Sequence, residues 1–248
     1  MKKIIIIIFL FNLTLNAQTI ITDRPDQSES PSVIGPGNLQ IETGFLLSQT
    51  EEIGSLRNLN RKKNIYLPST LFRIGLLNNI ELRVFNQYQF QVFGSNLGHG
   101  FNDLEVGLKV QLLNKENSFT KIAFLSHALV PSAPSLFSDE RFGSINKICV
   151  SHDLNEKIGV GYNLGYNYYY DEANNYTYSF VVGFEINKKI SGYFEPYGSF
   201  ENFDNSENNI NAGITYLIKN NLQLDYSFGT GINSKYNFIS IGFSILIN

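Results

Sequence analysis

Three histidines and a single cysteine are the residues of this chain best suited to acid–base, nucleophilic or metal chemistry at neutral pH. Their settings argue against all three. His99 stands between two glycines, in Gly98-His99-Gly100, as a loop residue would. His127 and His152 each follow a serine, in Ser126-His127 and Ser151-His152. Neighbours on an extended strand point to opposite faces, so neither pair sets a base beside its nucleophile. No His, Cys or carboxylate spacing suits a metal, and Cys149, alone in the chain, reads as a small filler in mid-strand. The expectation is therefore no catalytic residue, no metal and no cofactor.

The chemistry left is that of charge. Asp23, Arg24, Asp26 and Glu29 crowd one short proline-punctuated stretch, TDRPDQSESP. Farther on, charges stand singly or at alternate positions: Glu42, Arg73, Glu81, Arg83, Asp103, Glu105, Lys109, Glu185, Glu195 and Asp225. A formal net charge of −3 gives no case for nucleic-acid binding. What such residues do depends on the elements that carry them.

Those elements are strands. Ile158, Val160, Tyr162, Leu164, Tyr166 and Tyr168 alternate with Gly159, Gly161, Asn163, Gly165 and Asn167, one oily face against one small and polar face. The same period of two recurs, giving twelve strands at 38–48, 64–76, 80–92, 102–112, 119–130, 142–152, 158–168, 176–186, 190–202, 209–218, 221–230 and 237–247. It is weakest in 64–76, 119–130 and 142–152, and Pro196 predicts a bulge or a local ladder break. Short polar turns, such as Leu77-Asn78-Asn79 and Asn187-Lys188-Lys189, alternate with longer links at 49–63, 93–101, 131–141, 171–175, 203–208 and 231–236. Sorted turns of this kind mark an outer-membrane barrel, with the short turns periplasmic.

Aromatics make up 14% of residues, and Tyr168, Tyr169, Tyr170, Tyr176 and Tyr178 crowd the outer ends of two successive strands, as an interfacial girdle requires. A soluble β-sandwich also alternates, but its loops need not sort by length. The fold class expected is all-β, a transmembrane antiparallel up-and-down barrel of twelve strands.

Lys2 and Lys3, the apolar run Ile4–Phe11 and the small Ala17 predict a secretory signal over 1–17. Residues 18–37 follow as a periplasmic segment and 38–248 as the barrel. Parity then assigns Glu42, Arg73, Glu81, Arg83, Glu105, Lys109, Glu185, Glu195 and Asp225 to the lumen wall. They either cross-pair to hold the wall together or form a constriction that selects solutes. Asp23, Arg24, Asp26 and Glu29 either fold into the periplasmic mouth as a plug, pairing with that belt, or belong to a disordered tail.

Several motifs resemble the MetA-pathway phenol-degradation family of outer-membrane, transporter-like proteins. They are Thr22-Asp23-Arg24-Pro25-Asp26 with Glu29-Ser30-Pro31 and Pro36-Gly37; Leu67-Pro68-Ser69-Thr70-Leu71; Glu81-Leu82-Arg83; and Asn221-Leu222-Gln223-Leu224-Asp225. The resemblance implies a channel for a small solute, with aromatic or other hydrophobic compounds suggested by the family name. Implied partners are outer-membrane lipid, the solute and the barrel-assembly machinery. One departure is the ending Ile245-Leu246-Ile247-Asn248, where barrels usually end on an aromatic. The competing function is a structural or adhesive surface barrel, with 49–63 and 131–141 as its longest loops.

Overall fold

The computed structural model describes residues 19–53, 59–94, 96–114, 118–138, 140–170, 174–202 and 205–248. The signal segment expected at 1–17 lies outside the described residues. Among those described, the strands are β1 (Leu39–Ile53), β2 (Leu59–Leu77), β3 (Ile80–Phe93), β4 (Asn96–Phe101), β5 (Leu104–Leu113), β6 (Thr120–Val130) and β7 (Gly143–Asp153). They continue with β8 (Ile158–Tyr169), β9 (Asn175–Asn187), β10 (Ile190–Asn202), β11 (Asn205–Lys219), β12 (Leu222–Gly231) and β13 (Tyr236–Ile247). Chain neighbours pair antiparallel around a ring, and β1 closes it by pairing both β2 and β13.

Thirteen strands make twelve staves. β3 pairs β5 from Ile80↔Val110 to Phe85↔Glu105, then β4 from Tyr88↔Phe101 to Phe93↔Asn96. The register moves by one residue across Asn102-Asp103, so β4 and β5 are a single bulged stave. This corrects the reading of 93–101 as a loop, because Asn96–Phe101 continues the wall upward. The link expected at 49–63 also shrinks, since β1 runs to Ile53 and β2 starts at Leu59. Asn205–Asn208, expected within a link, opens β11.

Pro196 produces no bulge. Phe194↔Val182 and Tyr197↔Ser179 keep one register, and the β9 ladder only lapses between them. The proline lacks an N–H to give that neighbour, yet it still sits opposite Ile210 of β11.

Alternation turns the usual protein inside out. Phe180, Phe184, Phe194, Phe228, Ile239 and Ile241 are exposed on the outer surface, while Gln40, Glu42, Arg73, Glu81, Arg83 and Lys109 are buried within. A contiguous apolar exterior would aggregate in water and suits lipid, and closure leaves no strand edge to satisfy. The protein is accordingly an outer-membrane β-barrel of the Gram-negative type. No helix among the described residues is long and apolar enough to cross a membrane.

β6 and β7 show why their alternation is faint. Their inner face carries Ala123, Leu125 and Cys149, all at most 1% exposed, while Phe124 and Ile148 face outward. Apolar residues on both faces erase a period-two signal. Asn86 and Phe85 break the pattern of β3 differently: Phe85 lines a lumen cavity, and Asn86 stands opposite Thr70.

Residues 19–38 form no helix and only reach strand at Leu39. The segment starts at the end of the barrel bearing the two-residue turns, where the Ile20 N–H donates to the Asn220 carbonyl (2.7 Å). It enters the lumen, turns at Asp26–Ser28, and returns to the same end. There Ile20 and Ile34 pack with Leu246 of β13. Gly37, with φ of 80°, makes the last turn that only glycine adopts readily, and its N–H donates to the Gly75 carbonyl (2.9 Å). The fit there is close, since a Cβ on Gly75 would lie 1.9 Å from the Gly35 oxygen.

Candidate functional site

The staves β1, β2, β3 and β5 present their inward charges at one height, because Gln40↔Arg73, Arg73↔Arg83 and Glu81↔Lys109 are direct cross-strand partners. Parity alone would stack Arg73 against Arg83, a repulsive pair in a buried wall. Carboxylates separate them. Arg73 donates to Glu81 through Nε (2.9 Å) and to Glu42 through Nη1 (2.9 Å), and Arg83 Nη1 donates to Glu81 Oε1 (2.9 Å).

Into this belt the lead-in segment inserts Asp23. Its Oδ2 accepts from Arg83 Nη1 (2.6 Å) and Lys109 Nζ (2.8 Å) and lies 3.3 Å from Arg73 Nη1. Its Oδ1 accepts the Ser30 N–H (2.8 Å), which ties the inward leg of the segment to the outward one. Glu29 accepts from Arg83 Nη2 (2.7 Å) and lies 3.5 Å from Lys109 Nζ. Three cations thus face the four carboxylates of Asp23, Glu29, Glu42 and Glu81. The surplus negative charge meets backbone donors, since Glu42 Oε2 accepts the N–H groups of Asp23 and Arg24 (3.0 Å each). Burial alone would raise the Asp23 carboxyl, but Arg73, Lys109 and Arg83 override it and hold Asp23 well below the usual range.

Arg24 leaves the belt for the opposite side of the seam. Its Nη2 and Nε donate to the two carboxylate oxygens of Asp225 (2.9 and 3.2 Å), a bidentate pair, and Nη2 also reaches Ser240 (3.0 Å). The guanidinium lies flat on Gly44 and Gly242, which are cross-strand partners in β1 and β13. A Cβ at either glycine would come within 2.6 or 2.5 Å of Arg24 Nη2. Two glycines from distant parts of the sequence thus form a socket for one side chain.

The wall of β8, β9 and β10 grips the segment with neutral groups, mostly by its backbone. The Glu29 N–H donates to Asn163 Oδ1 (2.6 Å), and Asn163 Nδ2 donates back to the Glu29 carbonyl (3.1 Å). Ser28 and Ser179 share a hydroxyl hydrogen bond (2.7 Å). Glu195 supplies the one charge there, its Oε2 accepting from the Gln27 N–H (2.8 Å) and Asn211 Nδ2 (2.7 Å). Asp26 forms no ion pair among the described residues. Burial, and then the Glu195 charge beside it, push its carboxyl well above the usual range.

Of the wall residues expected from parity, Glu42, Arg73, Glu81, Arg83 and Lys109 come together around Asp23, and Glu195 and Asp225 meet the segment elsewhere. Glu185 does not join them. It is exposed near the mouth, beside a cavity of about 510 Å³. Glu105 pairs with His127 rather than with Lys109. Arg83 Nε can only donate, so His127 Nε2 accepts (3.0 Å), leaving Nδ1 to donate to Glu105 Oε2 (2.9 Å). His127, considered above only as a base, is a positioning residue behind Arg83. Sequence reasoning also missed Gln40, whose Nε2 donates to Glu42 (2.8 Å) and to the Ile21 carbonyl (2.9 Å).

The segment divides the lumen. On its periplasmic side lies the 510 Å³ cavity, while cavities of about 430, 310 and 270 Å³ on the other side all have Gln27 in their walls. At the outer mouth, Asp103 holds residues 132–138 inward by accepting from the Ser132 and Ala133 N–H groups (2.8 and 2.9 Å) and from Ser138 Oγ (2.8 Å).

Known structures share this architecture at low identity. The COG4313 outer membrane channel from Pseudomonas putida F1 superposes with a TM-score of 0.74, at 10% identity, covering 90% of this chain and all of that one. A KdgM porin in complex with disordered oligogalacturonate gives 0.56 at 11% identity, covering 83% of this chain and 98% of the porin. The translocator domain of autotransporter NalP from Neisseria meningitidis gives 0.54 at 8% identity, covering 86% and 89%. Similarity at this level shows a fold, and these three proteins carry different descriptions on it. A comparison with curated proteins gave no match. The sequence itself is more specific: over residues 22–247, which include both the charged segment and every strand, the chain belongs to the family described as "Putative MetA-pathway of phenol degradation".

Proposed function

We propose that this protein is a passive outer-membrane channel for a small solute, with residues 19–37 as a plug in the periplasmic half of its lumen. The observation that carries the reading is the docking of Asp23 among Arg73, Arg83 and Lys109, inside a barrel whose remaining lumen is cavity rather than packed core. Solute movement requires the plug to shift, since the segment separates the periplasmic cavity from those around Gln27. The family description favours an aromatic or other hydrophobic compound as the solute, and the Pseudomonas putida relative is described as a channel. Catalysis has no support from the site, and two of the structural neighbours named are a channel and a porin.

An adhesive barrel draws less support, because residues 134–137 of the outer loop fold in against Gly98 and Gly100 through Leu136 and Phe137 instead of projecting outward. Planar-bilayer recording on the purified full chain tests the proposal. Conductance that rises when residues 19–31 are deleted is the expected result. A full-length protein and a deletion variant that both conduct nothing would sink the channel reading, and equal conductance in the two would sink the plug.

A further inference from the structure

We propose that the chamber of about 430 Å³ on the outer side of the segment is a binding station for neutral, hydroxyl-rich solutes such as small sugars, recognised by Asn209 and three tyrosine hydroxyls. This rests on the channel reading and adds a solute class to which the family description gives no pointer. Alternation along the staves sets the chamber's chemistry. Toward the outer ends of β1, β2, β10, β11 and β13, the inward positions hold Ser48, Tyr66, Tyr197, Asn209 and Tyr236. Tyr197 and Asn209 are direct cross-strand partners, Tyr236 stands opposite Thr50, and Tyr66 stands opposite Leu46, the one aliphatic side chain of the lining. Gln27, exposed at the tip of the segment, supplies the floor.

The polar groups of this chamber are turned toward it and committed to nothing else. Asn209 is only 7% exposed, yet its side-chain amide has no hydrogen-bond partner among the described residues. It also borders the adjoining cavity of about 270 Å³, so it stands where the two open spaces meet. The hydroxyls of Tyr66, Tyr197 and Tyr236 and the side-chain amides of Gln27 and Gln87 likewise have no partner among those residues. In the belt, by contrast, Arg73, Arg83 and Lys109 are all paired. Amides and hydroxyls both donate and accept, and a buried amide left unbonded is costly. An anion would meet only the donors, a cation only the acceptors, and a hydrocarbon neither. A polyol meets both kinds at several points at once, releasing the waters that serve them singly. The tyrosine rings add apolar faces for its C–H groups. Within this lining Arg24 is committed to Asp225, so no cation is free to recruit an anionic solute, and Glu207 is exposed and screened by water.

The test is calorimetric titration of the full-length protein in an amine-oxide detergent, which carries no sugar headgroup, with glucose, maltose and benzyl alcohol as probes. At least one sugar should bind about tenfold or more tightly than benzyl alcohol. Asn209→Leu should weaken that sugar about tenfold, and Tyr236→Phe, which removes one hydroxyl, about threefold to tenfold. Folding of both variants is checked by unboiled gel mobility, and Tyr236→Phe carries the test if Asn209→Leu fails to fold. Benzyl alcohol binding as tightly as both sugars, no binding of either sugar, or sugar affinity unchanged in the folded variants would overturn the inference. Because binding is read without flux, absent conductance alongside intact sugar binding would count against the channel reading alone.

Discussion

Two aspartates three residues apart enter the same lumen and meet opposite walls. Asp23 faces the belt of β2, β3 and β5, where three cations surround it. Asp26 faces β8–β10, where glycines, serines and Asn163 leave it beside Glu195. One wall therefore holds the segment by full charges that lose most if a partner is removed. The other holds it mostly by neutral hydrogen bonds worth little singly, with Glu195 as its one charged acceptor. A segment clamped hard on one side and lightly on the other can swing on its clamp, and the light side is where the larger cavity lies.

The comparison breaks first at Arg73, which alone bonds Glu42 and Glu81 and borders Asp23. Arg73→Met leaves those carboxylates without their shared cation, and should cost about 3–5 kcal/mol. On unboiled gels the folded band should disappear at a clearly lower temperature than for the wild type. A band as heat-resistant as the parent's would mean the belt is not what holds this wall.

Gly242→Val should act on the inserted segment and also strain the β1–β13 pairing, since a Cβ there would lie 2.6 Å from the Thr43 carbonyl oxygen. The new side chain occupies the place of the Arg24 guanidinium and frees it from Asp225. Overpacking of this kind costs roughly 1–3 kcal/mol. Hydrogen exchange at residues 23–34 should quicken tenfold or more. Exchange as slow as in the wild type would show that the socket contributes nothing.

Titration separates the two aspartates by sign. Asp23 is depressed in the docked state, so its contribution is present above the ordinary value of 3.8 and is lost as pH falls through its lowered one. Asp26 is raised, so its contribution is complete below 3.8 and is lost as pH rises through its elevated value. The charged groups acting on Asp26 include Glu195 of β10 and Asp23 and Glu29 of the segment, all of which oppose its ionisation. Exchange of residues 23–34, corrected for intrinsic rates, should therefore quicken on the alkaline side in the wild type and stay flat there in Asp26→Asn. A matching alkaline rise in that variant would assign the effect to another group.

Much of this was legible in the residues, for reasons that also mark where legibility stops. A period of two survives wherever one face meets lipid and the other water, so the strands and the inward belt could be read directly. It fades in β6 and β7, where Ala123, Leu125 and Cys149 make the inner face apolar as well. The stave continued by β4 escaped notice because Gly98 and Gly100, which admit Leu136 and Phe137, look like loop residues. Charge type left the lead-in to pair with the belt or to trail as a disordered tail, and could not say which group takes which. Asp23 and Asp26 are the same residue in the same motif, and only ring closure decides that one meets Arg83 and the other Glu195. The Arg24 socket needs Gly44 and Gly242 to become neighbours, which no local pattern announces. Glu185 has the right parity and the wrong height.

The smallest effect expected lies on the lightly held wall and sharpens the contrast most. Ser179→Ala removes one neutral hydroxyl bond to Ser28 and leaves Asn163 gripping the Glu29 backbone. The loss should be about 1 kcal/mol, close to fivefold in exchange at residues 23–34, with no change in gel mobility. If Ser179→Ala released the segment as fully as Gly242→Val, the two walls would share the load equally. The pivot would then have no fixed side, and the segment would have to leave the lumen whole rather than swing within it.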